Sequence, residues 1–292
     1  MGLKGRAEIL VKRRAADERK YGGAIQCLNL MSDVSPAYLT LQDSVPGHPR
    51  IPSTATMRMN HYEGRVWYNA MMTSRRYLEW GAGGTTAIAA WRVTHPTLPP
   101  FEAHTIESDG AFVERLRTNN RQIEAAMALQ AGRRLRGAEI SSLTIHVSDL
   151  GELSTWGRPL NWSTRDESVR VKQAKGYVRP KEVECCFDAI LIDGRFRAAC
   201  ALSALRLSHE HTIIMLHDYW HAPNGASGKI APHHRLKPSR AHYNTTLGKW
   251  YDHVLRQGTL AVLRPRPGAV AAAKAGAWGF ERLLEESERD PS

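Results

Sequence analysis

Cysteine is scarce in this chain, acidic residues are outnumbered and long apolar runs are missing, and each shortage excludes something. Four cysteines among 292 residues, Cys27, Cys185, Cys186 and Cys200, match neither a zinc-ligand set nor a disulfide framework. Adjacent Cys185 and Cys186 are poorly placed to bridge each other, so cysteine usage reads as that of a reducing compartment. No stretch approaches the roughly 18 apolar residues that cross a bilayer, which predicts a soluble, cytoplasmic protein with no membrane partner. The N-terminus carries Lys4, Arg6, Lys12, Arg13 and Arg14 without a secretory apolar core. Glu8, Asp17 and Glu18 do not suit an acid-poor organellar presequence, so mitochondrial import stays open without being indicated.

What is present is a basic, ordinary globular composition. The hydrophobic fraction is 42% and the charged fraction 24%, values that exclude a collagen-like fibre, a coiled coil and wholesale disorder. Forty Lys plus Arg against 29 Asp plus Glu leave a net charge of +11. Such an excess favours an anionic partner, RNA or an acidic protein surface in a larger assembly, but equally suits an indifferent basic surface.

Three regions follow from composition and punctuation. Residues 1–55 form a basic extension that ends in a segment with Pro36, Pro46, Pro49 and Pro52. From 56 to 265 short apolar runs alternate with longer amphipathic ones after a first helix at 63–74, the pattern of βαβ units and a mostly parallel sheet in an α/β fold. Strands are expected at 77–80, 104–107, 143–147, 187–192, 212–216 and 259–263. Helices are expected at 85–91, 110–135, 198–207 and 240–255. An inserted loop at 220–239 is basic and rich in Gly and Pro, and 266–292 reads as a helical tail.

The chemistry-bearing residues cluster at strand ends. Glu79 to Gly84, Glu107 to Asp109, Asp193-Gly194 and His217-Asp218 each follow or close an expected strand, and open parallel sheets bind ligands at the carboxyl ends of their strands. Gly81, Gly83 and Gly84 permit a tight turn and close ligand approach. Glu107, 26 residues beyond Gly81, is placed to accept hydrogen bonds from two ribose hydroxyls. The dinucleotide fingerprint would need glycine where Thr86 stands, and the phosphate-loop lysine is missing. Glu79 in front of the turn disfavours pyrophosphate and favours an ammonium or sulfonium group, which points to S-adenosyl-L-methionine.

The segment Tyr77-Leu78-Glu79-Trp80-Gly81-Ala82-Gly83-Gly84-Thr85-Thr86 resembles the first motif of class I S-adenosylmethionine-dependent methyltransferases, in the variant L-E-W-G-x-G-G-[ST]-T. Thr105 to Asp109 resembles the second motif, Phe187 to Arg197 the fourth, and His217-Asp218-Tyr219 the segment after the fifth strand, all in the family's order across roughly residues 60–265. The resemblance implies a Rossmann-like sheet with helices on both faces and, on the O-methyltransferase side of the family, methylation of an acceptor hydroxyl. It implies that Glu79, Gly81, Gly83, Gly84 and Thr85 hold the methionine part, that Glu107 binds the ribose, and that Ser108 lies beside the adenosine. Asp149 matches the adenine-contacting position, although Ser148-Asp149 also suits a cap before Leu150.

By the same resemblance, Asp193 and Asp218 match the carboxylates that hold a divalent cation in metal-using members. Mg2+ is the expected ion, since it takes oxygen ligands and keeps several waters. His217 departs from that pattern and is instead a candidate general base beside Asp193 and Asp218. The rival reading is a methyltransferase-like subunit without catalysis, held in an RNA-containing assembly by the basic extension and Lys229, Arg235 and Lys237 of the insert. A nucleic-acid methyltransferase lacks support, because Ile192-Asp193-Gly194-Arg195 stands where an N-P-P-Y-type tetrapeptide is expected. The closing antiparallel hairpin of the family is not visible in the sequence.

Overall fold

The computed structural model describes residues 57–133, 141–154, 157–219 and 242–289. The expectations for the extension at 1–55 and the insert at 220–239, with Lys229, Arg235 and Lys237, lie outside the described residues.

The described chain runs α1 (His61–Thr73), β1 (Arg76–Trp80), α2 (Gly84–Thr94), β2 (Glu102–Glu107), α3 (Gly110–Asn119), α4 (Arg121–Arg133) and β3 (Ser142–Val147). A small hairpin of β4 (Leu153–Ser154) and β5 (Arg158–Pro159) precedes α5 (Glu167–Val178), β6 (Phe187–Ile192), α6 (Arg197–Ala204) and β7 (Ser208–Leu216). Then come α7 (His242–Leu247), β8 (Tyr251–Gln257), β9 (Leu260–Pro265), α8 (Ala269–Lys274) and α9 (Trp278–Ser287).

Seven strands form one sheet in the order β3-β2-β1-β6-β7-β9-β8, parallel from β3 to β7 and closed by antiparallel β9 and β8. This is the expected Rossmann-like α/β architecture. The order reverses between β1 and β6, and a ligand crevice opens at such a reversal.

Alternation along the central strands divides the core into two layers. Tyr77, Ala189, Leu191 and Met215 pack with α1, α2 and α4 on one face. Leu78, Trp80, Ile190, Ile192, Ile214 and Leu216 pack on the other with α5, α6 and the tail. Helices α8 and α9 are built into that core through Ala269, Val270, Ala273, Phe280 and Leu284. Among the described residues no helix is long and apolar enough to cross a membrane.

Three expectations are corrected. The helix expected at 110–135 is two helices, because Asn120 is extended and its Oδ1 accepts from the backbone of Gln122 and Ile123, restarting the chain as α4. The helix expected at 240–255 ends at Leu247 and the chain becomes β8, which supplies the closing hairpin. A bulge between His253 and Leu255 breaks the alternation of that strand, leaving Tyr251, Val254 and Leu255 at a helix-like spacing; pairing with β9 decides the outcome. Finally, Cys185 and Cys186 are joined by a disulfide, with Lys274 Nζ 3.1 and 3.2 Å from their sulfurs, while Cys200 is free and buried.

Candidate active site

Backbone bonds beyond the strand ends tie the motif residues into one rim. Gly81 N donates to Ile106 O, Asp193 N to Trp80 O, His217 N to Ile192 O and Ser148 N to Glu107 O, all within 2.8 to 3.0 Å. The turns after β1, β2, β6 and β7 therefore lie side by side along the carboxyl edge of the sheet.

The glycine turn after β1 uses its glycines differently. Gly81 has φ +96, and a Cβ there would meet the backbone of Asp193 and Gly194 at 3.0 Å; its missing side chain serves the approach of two chain segments. Gly83 has nothing within 4 Å of a built Cβ, so this residue opens onto free space. Its N donates to Thr86 Oγ1 at 2.9 Å as Gly84 and Thr85 begin α2.

Glu79 braces this turn from below. It is fully buried, and its carboxylate accepts from Thr86 Oγ1 at 2.5 Å, Thr105 Oγ1 at 2.8 Å and Tyr77 Oη at 2.9 Å. Burial pushes its pKa up, and the hydroxyl donors oppose that shift. The residue expected to hold the methionine part thus faces the interior, with two hydroxyls on Oε1 and one on Oε2, and it braces the turn from within the fold. Tyr77, Thr86 and Thr105 lie within the motifs but have no role of their own there, because a motif does not show which hydroxyls meet the Glu79 carboxylate.

Glu107 closes β2 with its carboxylate turned toward the same turn. Oε1 accepts from Ser108 N at 2.6 Å, Asp109 N at 3.0 Å and Ser108 Oγ at 3.0 Å, while Oε2 accepts from Ala82 N at 2.8 Å. A carboxylate oxygen has about two lone-pair sites, so Oε2 keeps capacity for one further donor. Ser108 is held against Glu107 and is buried. Asp149 is exposed and its Oδ1 accepts from Gly151 N at 2.6 Å, so the structure gives it the turn-capping contact that the sequence also allowed.

At the ends of β6 and β7 charges of alternating sign form a chain. His217 Nδ1 lies 2.8 Å from Asp193 Oδ1 and its Nε2 lies 3.6 Å from Glu63 Oε2. Arg197 reaches Asp193 Oδ1 at 3.3 Å and Asp218 Oδ2 at 3.1 Å. The order is Glu63, His217, Asp193, Arg197, Asp218. Two non-glycine residues aim this set, since Phe196 just before α6 has φ 51 and Asp218 has φ 55, a left-handed conformation that Asp tolerates better than Phe.

Burial opposes charging of His217, but the hydrogen bond it donates to Asp193, the Glu63 carboxylate 3.6 Å away and the fields of Asp193 and Asp218 outweigh it and raise its pKa to about 10. The ring is an imidazolium with each nitrogen facing a carboxylate. In that state neither nitrogen offers a lone pair to an acceptor proton, which sets the ring apart from the general base expected from the sequence.

Glu63 is a member of the site that the sequence reading missed. It sits in the first turn of α1, where Asn60 accepts from its backbone N and its own Oε2 accepts from Asn60 N at 2.8 Å, a capping box. Its Oε1 also accepts from Thr259 N at 2.5 Å and Thr259 Oγ1 at 2.8 Å, in the turn between β8 and β9. Burial raises its pKa, yet His217, Thr259 and Asn60 together hold it down at about 2. The N-x-x-E signal announces a helix start, and nothing in it announces a contact 154 residues away with His217.

Divalent magnesium does not fit this donor set. The two carboxylates that would hold it share the Arg197 guanidinium, and the third candidate ligand is a protonated ring engaged with Asp193. Magnesium asks for oxygen ligands in near-octahedral order, and the permanent positive charge of Arg197 already stands between the two carboxylates. The expectation of Mg2+ at Asp193 and Asp218 is corrected on that ground.

No family model matches the chain, and no curated protein matches it. Among solved structures the chain is similar to a methyltransferase-like protein from Silicibacter pomeroyi, at 22% identity and TM-score 0.49 over 79% of this chain and 97% of that one. It is also similar to an O-methyltransferase from Bacillus cereus in complex with SAH, at 14% identity and TM-score 0.36 over 88% and 89%. An O-methyltransferase from Streptomyces achromogenes in complex with SAM follows, at 17% identity and TM-score 0.38 over 86% and 99%.

Proposed function

We propose that the chain is an S-adenosyl-L-methionine-dependent methyltransferase acting on an acceptor oxygen. The observation that carries the reading is the clasp between Glu107 Oε2 and Ala82 N at 2.8 Å. It places an acidic group with spare acceptor capacity directly against a glycine turn that opens onto free space at Gly83. Four motifs in family order and a sheet that reverses between β1 and β6 support the same reading.

The residues fit such a cofactor. Glu107 would accept from a ribose hydroxyl at Oε2, the Gly83-Gly84-Thr85 backbone would lie against the methionine part, and Ser108 beside Glu107 would border the nucleoside. The cofactor supplies a methyl group on a positively charged sulfur, which an aligned oxygen nucleophile displaces. The chain must then orient the acceptor and receive its proton.

Asp218 is the residue suited to that proton. Asp193 takes two cations, His217 and Arg197, both at Oδ1, whereas Asp218 takes Arg197 alone at Oδ2; the two carboxylates are similarly exposed, at 31% and 35%. The other oxygen of Asp218 is the one assigned to receive the proton. Asp193 and His217 then act as positioning residues behind it, with Arg197 as the link.

Calorimetry with S-adenosylhomocysteine tests the reading. The full chain should bind it, and Glu107→Ala should weaken binding by about 1.5 to 3 kcal/mol, as on loss of a charge-assisted hydrogen bond. Absence of binding by the parent protein, or equal binding by both, overturns it.

A further inference from the structure

Asp193, His217 and Asp218 offer three ligand atoms within 4.8 Å of one another, the kind of cluster in which a divalent ion would be sought. A cation already stands there, and it belongs to the chain. Arg197 enters from the first residue of α6 with its side chain 9% exposed, donating to Asp218 Oδ2 through Nη1 and to Asp193 Oδ1 through Nη2. Nη2 also lies 3.5 Å from the Asp193 carbonyl oxygen. One planar fork thereby spans the ends of two neighbouring strands.

We propose that the Arg197 guanidinium takes the place of a divalent cation between Asp193 and Asp218, fixing both carboxylates and keeping metal ions out. A guanidinium is suited to the task, since its charge does not change with pH and its donors diverge in one plane. An entering ion would have to share these two carboxylates and would stand beside a like charge on a side chain that is 9% exposed. The difference from a metal is chemical. A metal would bind the acceptor oxygen itself and polarise it, whereas Arg197 has its donors turned to the two carboxylates and acts on the acceptor through Asp218. Arg197 is thus a positioning residue, and this assignment rests on the methyltransferase reading only for what Asp218 does next.

The exclusion can be read without any turnover. Mn2+ is titrated into the full chain and the free-ion signal followed by electron paramagnetic resonance. The parent protein should leave that signal unchanged, while Arg197→Met and Arg197→Ala, freed of the guanidinium, should take up one Mn2+ per chain with affinity raised at least about tenfold. Adding Asp218→Asn to either should remove that uptake. Stoichiometric Mn2+ binding by the parent protein that Asp218→Asn abolishes overturns the proposal, and so does a folded Arg197→Met that takes up no ion. Should circular dichroism show that neither Arg197 variant folds, the parent titration decides alone: uptake refutes, and no uptake supports. A parent protein that binds neither Mn2+ nor S-adenosylhomocysteine would sink the methyltransferase reading and leave the place of Arg197 standing, so the two failures are distinguishable.

Discussion

His217 Nδ1 stands 2.8 Å from Asp193 Oδ1, and that pair makes the ring a cation. Nuclear magnetic resonance of the imidazole should show a titration midpoint far above the ordinary 6.5, near 10, and Asp193→Asn should bring it back toward the ordinary value. The folded-state pKa is raised, so the linked stabilisation is present in full below about 6.5 and fades as the pH climbs toward 10. Thermal unfolding of the parent protein should lose more between those limits than unfolding of His217→Gln. A midpoint near 6.5 in the parent protein would refute the charged ring.

Glu79 offers a second test, because its hydroxyl partners Thr86, Thr105 and Tyr77 are buried with it. Glu79→Ala leaves Thr86, Thr105 and Tyr77 without an acceptor and should cost on the order of 3 kcal/mol, read as a lower midpoint in denaturant. Glu79→Gln keeps an oxygen for the two threonines and should cost less than half of that. Equal losses would mean that the carboxylate's charge, and not its hydrogen bonds, holds the turn. Binding of S-adenosylhomocysteine should weaken in parallel with the stability loss, since Glu79 acts through the turn and not on the ligand.

The approach of β1 and β6 supplies a third. A Cβ at Gly194 would fall 1.9 Å from Tyr177 Oη and 3.2 Å from Gly81 N. Gly194→Ala should therefore destabilise the chain by about 1 to 3 kcal/mol, as overpacking does. Tyr177→Phe in the same chain should recover part of the loss, because it removes the atom that is struck even though it also removes the acceptor of Arg195 N. No recovery in the double variant would place the strain at the Gly81 backbone instead.

What the sequence determined by itself was the part of this protein that local rules govern. The apolar runs that become β1, β2, β6 and β7 announce themselves because a strand buried on both faces needs little else, and their polar ends are legible because a parallel sheet gathers them on one edge. The glycines after β1 and the carboxylate of Glu107 could be named on that basis. Tertiary structure decided the rest. Whether Tyr251 to Gln257 is helix or strand depended on a partner strand and a bulge. Whether Glu79 faces a ligand or the interior depended on hydroxyls from β2 and α2. Whether His217 receives a proton or keeps one depended on Asp193 from the end of β6 and on Glu63, brought from the start of α1 to the end of β7 beside the closing hairpin. Charge and proton affinity are properties of neighbours in space, and only folding chooses those neighbours.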